Sequence, residues 1–244
     1  MLKGIVLAGG KGTRLLPTTR AVSKQLHCVY NKPMIYYPLQ TLKDMGVTEI
    51  LIITADPMQC RLFQEQLRDG SDYGLKLEYT IQEQPGGLPE AFIIGEKFIG
   101  SDDDVALILG DNVFITHKKI KAEPNTIFTF KVKDPSAYGV AELDENNNLI
   151  NIVEKPTEYI SDNAVVGLYV FTRVAIDLAK TLKPSKRGEL EIVDLISMIK
   201  EQEGIEVEEL DGFWFDCGNH DDLLNCANLI KTIEDRTHTT IGLH

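Results

Sequence analysis

Near its start the chain carries three glycines in four positions followed by a cation: Gly9-Gly10-Lys11-Gly12-Thr13-Arg14. Glycines let the backbone approach a ligand closely, and backbone N–H groups at such a turn cradle anions. A guanidinium adds a fixed positive charge, so the chemistry open to this segment is polyphosphate binding. The same residues also make a tight turn with no ligand. Arg14 and a second cation at Lys24 favour the phosphate reading. A Walker loop is excluded, because neither Gly10 nor Gly12 is followed by Lys-Ser or Lys-Thr. A dinucleotide fingerprint is also excluded: Gly10-Lys11-Gly12 supplies its first half, but Leu15 stands where its last glycine belongs.

Two aspartates end apolar runs. Asp111 closes Leu107-Ile108-Leu109-Gly110-Asp111-Asn112, and Asp216 closes Trp214-Phe215-Asp216. Carboxylates at strand ends suit Mg²⁺, which takes one or two of them and fills its other positions with phosphate oxygens and water. An aspartate there also caps turns, and sequence spacing does not choose between the two. Glu154-Lys155-Pro156 ends a further strand. Lys155 is a candidate phosphate contact and Glu154 a candidate acceptor for sugar hydroxyls, although Glu-Lys pairs are common on any surface. Gly139 and Gly167 would let a ligand approach a strand backbone, or mark bulges. The five histidines form no metal-binding pair, and no serine or cysteine sits in a nucleophile elbow. Phosphoryl or nucleotidyl transfer needs neither, because a phosphate oxygen is already ionised. Catalysis then reduces to alignment and charge neutralisation.

These residues must be positioned by an alternation of strands and helices. The pattern predicts strands at Leu2–Ala8, Glu49–Thr54, Lys76–Gln82 and Val105–Leu109. It predicts helices at Pro33–Met45, Met58–Leu67 and Leu88–Phe98, the last with Pro89 in its first turn. That rhythm implies a three-layer α/β/α, Rossmann-like, mostly parallel sheet with ligands beyond the carboxyl ends of its strands. Arg14, Gln82 and Asp111 would then share one crevice. The second half is strand-rich, with strands at Thr126–Val132, Gly139–Leu143, Leu149–Glu154, Val165–Phe171, Glu206–Leu210 and Phe213–Phe215. Helices fit Val174–Leu182, Leu190–Glu203 and Leu223–Ile233. No linker interrupts the 244 residues. The expectation is one domain over 1–244, with 1–112 mainly nucleotide-binding and 113–234 mainly sugar-phosphate-binding and ending in a helix.

A net charge of −12 argues against a general nucleic-acid binder, so an anionic substrate must be met by a local basic pocket or a metal. No stretch is apolar enough to span a bilayer, and the start at Met1 lacks the shape of a signal peptide. Cys28, Cys60, Cys217 and Cys226 match no zinc or redox spacing and read as reduced thiols, which points to the cytoplasm.

Six words, some already met above, complete the pattern. They are Gly4–Leu15 (GIVLAGGKGTRL), Ala21–Leu26 (AVSKQL), Lys32–Leu39 (KPMIYYPL), Leu109–Asn112 (LGDN), Glu154–Pro156 (EKP) and Pro184–Ile192 (PSKRGELEI). In this order the chain resembles the sugar-1-phosphate nucleotidyltransferases, and within them the branch that joins thymidylate to glucose 1-phosphate. The resemblance runs from Lys3 to about Glu234. It implies a Mg²⁺-dependent reaction of dTTP with glucose 1-phosphate, giving dTDP-glucose and pyrophosphate, a first step toward dTDP-rhamnose or related deoxysugars. By that resemblance Gly9, Gly10, Gly12, Thr13 and Arg14 wrap the triphosphate, and Arg14 and Lys24 offset charge on pyrophosphate. Gln25 helps place the nucleotide, and Gln82 and Gly87 read the base. Gly139, Glu154 and Gly167 hold the sugar, Lys155 its phosphate, and Asp111 and Asp216 the metal. The alternatives are use of UTP or another hexose 1-phosphate, and a non-catalytic nucleotide-sugar sensor. Four departures stand out: His27-Cys28, Pro89-Glu90, Cys217, and a short Asn112–Thr126 connection without the family's usual helix. Members commonly form homo-oligomers with a regulatory nucleotide site near that connection.

Overall fold

The computed structural model describes residues 1–84 and 86–244. In chain order the elements are β1 (Leu2–Ala8), β2 (Cys28–Val29), β3 (Lys32–Pro33), α1 (Tyr36–Asp44), β4 (Glu49–Thr54), α2 (Pro57–Leu67), β5 (Lys76–Ile81), α3 (Glu90–Ile99), β6 (Asp104–Leu109) and β7 (Asn112–Ile115). They continue with β8 (Thr126–Lys131), β9 (Gly139–Leu143), β10 (Leu149–Glu154), β11 (Asn163–Phe171), α4 (Val174–Ala179), α5 (Ile192–Glu203), β12 (Glu206–Glu209), β13 (Phe213–Asp216) and α6 (His220–Thr237). The expected α/β class holds, and nine of these strands form one large central sheet.

The chain divides into two compact units, each discontinuous in sequence. A loop unit comprises Gly4–Pro85, Ile108–Lys119 and Gly212–His244. A long-strand unit comprises Met1–Lys3, Gly86–Leu107 and Ile120–Asp211.

In the loop unit β1, β4 and β5 run parallel, with Ile5 opposite Leu51 and Ile52 opposite Tyr79. Ile5, Val6 and Ile50–Ile53 are buried, the continuous apolar run of a strand covered on both faces. Helix α2 starts where its sequence provides a cap: Asp56 accepts from the Gln59 N–H at 2.9 Å, and Pro57 fills the first helical position. Asn219 caps α6 in the same way through the Asp222 N–H. Strand β7 pairs antiparallel with β13, opposing Asn112 to Asp216. This pair rests on an apolar cluster of Val29, Met34, Tyr37, Val113, Cys217, Cys226 and Ile230. Fully burying such side chains contributes about 1.5–3 kcal/mol each, so the platform under both aspartates is firmly held.

In the long-strand unit β11 pairs antiparallel with β8 and β9, β9 with β10, and β12 runs parallel to β8. Register shifts between Val165 and Tyr169, so Gly167 lies in an irregular stretch of β11, in keeping with its bulge reading. The turn before β10 is built by Asp144, whose carboxylate accepts from the N–H groups of Asn146 and Asn148.

Some expectations need correction. The helix predicted from Pro33 begins at Tyr36, because Lys32–Pro33 is held as a strand against Cys28–Val29. The helix predicted from Leu88 begins at Glu90, with Pro89 as its cap. The helix predicted from Leu223 starts earlier, at the Asn219 cap. Strand β7 occupies the front of a connection read as loop, and residues 116–125 contain no helix.

Candidate active site

In the loop unit the glycine loop leads from β1 into a single 3-10 turn at Thr13–Leu15. Gly12 takes φ +60°, a left-handed conformation that favours glycine, and its carbonyl accepts from the Leu15 N–H and the Thr19 hydroxyl. Leu15 is buried and anchors the turn, while Thr13 and Arg14 stay exposed. The loop is closely bordered. A Cβ placed on Gly9 would lie 3.2 Å from Gln82 Oε1, and one on Gly10 3.8 Å from Lys24 Nζ. Gln82 is buried at the end of β5, its N–H donating to Thr54 O.

Charge is organised around the two aspartates. Lys24 Nζ pairs with Asp111 Oδ2, and Arg14 Nη2 donates to Asp216 Oδ2 at 3.3 Å. The Cys217 N–H donates to the Asp111 carbonyl at 2.9 Å, which ties the two strand ends together. Burial, and then the charge of Asp111, raise the carboxyl pKa of Asp216 above its ordinary value, against the lowering effect of Arg14 and Lys24. The sequence could not show that residues 105 positions apart meet; the fold brings them side by side.

Two adjacent carboxylates, Asp111 buried and Asp216 largely so, are an acceptor set that suits a hard dication. Among the described residues no group of three or more His, Cys, Asp or Glu gathers around a common point. Two protein oxygens, with the rest from phosphate and water, is the donor set Mg²⁺ prefers, so the residues present fit it.

Gln25 is buried, 1% exposed. Its Oε1 accepts from Ser23 Oγ, and its stem packs where a Cβ on Gly110 would fall. It supports the Gly110-Asp111 turn from below. Cys217 is fully buried in the same apolar cluster as Cys226. The tie to Asp111 is therefore carried by backbone and does not depend on a hydroxyl at this position.

The long-strand unit holds a second polar cluster. Glu154 pairs with Gly139 across β10 and β9, and a Cβ on Gly139 would sit 3.3 Å from Glu154 Oε2. Lys155 takes φ +46°, a strained conformation for a side-chain-bearing residue, and its N–H donates to Tyr138 O at 2.9 Å. Its side chain is half exposed, with Nζ 3.7 Å from Glu154 Oε1. Arg187 completes the cluster. Its Nη2 donates to Glu154 Oε1 at 3.3 Å and to Glu191 Oε2 at 2.5 Å, and its Nε donates to Glu191 Oε1 at 3.1 Å. Bonding to Arg187 holds the Glu191 carboxyl below its usual range, and Ser185 adds to this.

Sequence reasoning assigned no role to Arg187 or Glu191. The Pro184–Ile192 word contained both, but only the fold shows that Arg187 faces Glu154. Gly87, at φ +100°, bridges Leu190; a Cβ there would lie 2.1 Å from Leu190 O. Gly87 thereby fixes the segment that carries Arg187 and Glu191.

Comparisons with known proteins place the whole fold in a family. The family described as nucleotidyl transferase matches residues 3–233. A glucose-1-phosphate thymidylyltransferase of Neisseria gonorrhoeae is 50% identical, over 96% of this chain and 84% of its own length. One from Mycolicibacterium smegmatis is 43% identical, over 99% of this chain and 86% of its own. A Bacillus anthracis structure solved with sucrose, provisionally assigned the same activity, superposes with a TM-score of 0.86. It shares 34% identity and covers 94% of this chain and 95% of its own.

Proposed function

Because the chain belongs to the nucleotidyl transferase family, we propose that it joins dTTP and glucose 1-phosphate into dTDP-glucose and pyrophosphate. The observation that carries this reading is the ring of alternating charge, Arg14–Asp216–Asp111–Lys24, at the mouth of the glycine loop. The thymidylyltransferase names of relatives at 41–50% identity support the choice of nucleotide and sugar.

The triphosphate is assigned to the loop Gly9–Thr13, with Gln82 against the imide edge of the pyrimidine. Gly87, in its own unit, keeps its assignment as a backbone contact to the base. Glucose 1-phosphate is assigned to the second cluster: Lys155 and Arg187 to its phosphate, and Glu154 and the open backbone at Gly139 to its hydroxyls. Gly167 is assigned to the sugar through the irregular stretch of β11. One ionised oxygen of the sugar phosphate attacks the α-phosphorus. The new P–O bond forms as the bond to the β-phosphate bridging oxygen breaks, and both electrons leave with pyrophosphate. No proton moves, so no general base is required. Arg14 and Lys24 meet the charge that grows on the departing oxygens, where preorganised cations contribute most. Asp111 and Asp216 would hold Mg²⁺, which supplies further charge neutralisation at the phosphates.

A cytoplasmic setting belongs to the same reading: all four cysteines are free thiols, and no helix among the described residues is long and apolar enough to cross a membrane. Self-association, common in the family, is checked by light scattering on the sample used below.

The test is pyrophosphate release with glucose 1-phosphate and Mg²⁺, offering dTTP, UTP, CTP, ATP and GTP separately, each with a chelator control. Chelator-sensitive release with dTTP well above the others is expected. Equal use of UTP would replace the proposal with a pyrimidine-tolerant enzyme, since thymine differs from uracil by one methyl, worth about 1 kcal/mol when buried. Silence with every nucleotide would overturn it.

A further inference from the structure

The structure assigns a positioning role to Trp214, acting through Asn112 on the carboxylate of Asp111. Trp214 Nε1 donates to Asn112 Oδ1 at 2.7 Å, and Asn112 Nδ2 donates to Asp111 Oδ1 at 3.3 Å. The relay spans the β7–β13 pair, with Trp214 two residues before Asp216, and Asp216 directly opposite Asn112. Asn112 is 2% exposed, so water does not orient its amide.

The chemistry of the donor gives the relay its direction. An indole nitrogen donates and cannot accept. Trp214 therefore obliges the amide of Asn112 to turn its oxygen toward the indole and its NH₂ toward Asp111. The reverse rotamer would set two donors against each other at the indole and two acceptors against each other at the carboxylate. With Oδ1 engaged by the amide and Oδ2 by Lys24, the plane of the Asp111 carboxylate is fixed. Partners of this kind, one step removed from a metal, orient the ligating group, and their loss typically costs about 10- to 100-fold in metal affinity.

This inference rests on the metal role proposed for Asp111, and the experiment separates the two. Mn²⁺ is titrated into substrate-free protein at millimolar concentrations and free Mn²⁺ is followed by electron paramagnetic resonance. The proteins are the parent chain, Trp214→Phe, Asn112→Ala, the double variant and Asp111→Asn. Trp214→Phe keeps an aromatic side chain but lacks the donor, and it should weaken Mn²⁺ binding about 10-fold, the low end of that range. The double variant should bind as Asn112→Ala alone does, because the indole acts only through the amide. In turnover assays the apparent Mg²⁺ requirement of Trp214→Phe should rise in proportion, with the KM for glucose 1-phosphate unchanged. Parental Mn²⁺ affinity in Trp214→Phe, or losses that multiply in the double variant, would overturn the assignment. If Trp214→Phe does not fold, undiminished affinity in Asn112→Ala would overturn it equally. Parental binding by Asp111→Asn would instead remove the metal reading itself.

Discussion

Replacing Gly218 by alanine should disable Arg14 without touching it. Gly218 follows the Asp216-Cys217 pair, and a Cβ there would lie 2.2 Å from Arg14 Nη2 and 2.9 Å from Asp216 Oδ1. Ordinary contact begins near 3.4 Å. The guanidinium must therefore retreat by about 1 Å, a displacement of the size that costs a catalytic group roughly 100-fold in rate. That loss corresponds to about 2.7 kcal/mol of transition-state stabilisation. The cost in fold is small, because the Arg14 side chain is 60% exposed and an exposed ion pair contributes only about 0–1 kcal/mol. The assay is steady-state pyrophosphate release at saturating dTTP, glucose 1-phosphate and Mg²⁺, with thermal unfolding in parallel. Expected are a kcat about 100-fold lower, a Tm within about 4 °C of the parent, and an unchanged glucose 1-phosphate KM. The double variant Gly218→Ala/Arg14→Ala should be no slower than Arg14→Ala alone, because both changes remove one function. A Gly218→Ala protein with more than half the parental rate, or multiplicative losses in the double variant, would refute the reasoning.

Two other predictions draw on the remaining charges. Arg187→Ala should raise the KM for glucose 1-phosphate about 10- to 100-fold, the loss of one or two charge-assisted contacts, with dTTP binding unchanged by calorimetry; an effect on dTTP alone would move Arg187 out of the sugar-phosphate cluster. Asp216→Asn should be inactive yet more stable at neutral pH. The folded-state pKa of Asp216 is raised, so its protonated form contributes stability below the unfolded value, and this is lost as pH rises through the folded value. Tm measured against pH should therefore decline less on the alkaline side of that window in Asp216→Asn, and parallel profiles would contradict the burial argument.

What the sequence made legible was what local chemistry decides. Strands β4 and β10 match their predicted bounds, because each lies between turn-forming residues, and β4 is also an apolar run. The glycine loop and both aspartates stood out as candidates by residue type and position after strands. What stayed hidden depended on partners distant in the chain. Asn112–Ile115 read as loop because it is short and its pairing strand lies about a hundred residues on. Pro33 read as helix because a two-residue pairing with Cys28–Val29 leaves no periodic trace. Arg187 lay in a conspicuous word but faces Glu154, 33 positions away, and a lone arginine carries no mark of its partner. Gln25 received its nucleotide role only through the resemblance, and its packing against Gly110 became visible only in the fold.

The pairing of Lys24 with Asp111 bears on the order in which ligands arrive. A tethered ammonium on that carboxylate competes with any cation from solution at the high effective concentration of an intramolecular partner. Free divalent metal should meet a reluctant host. A triphosphate in the neighbouring loop offers Lys24 other oxygens, and as the lysine swings to them Asp111 becomes available. If Asp111 and Lys24 play the roles proposed above, nucleotide and metal should bind with positive cooperativity, and thermodynamic reciprocity requires each to tighten the other by the same factor. The lysine would thus keep the acidic pair neutralised between turnovers and surrender it only when there is a phosphate to act upon.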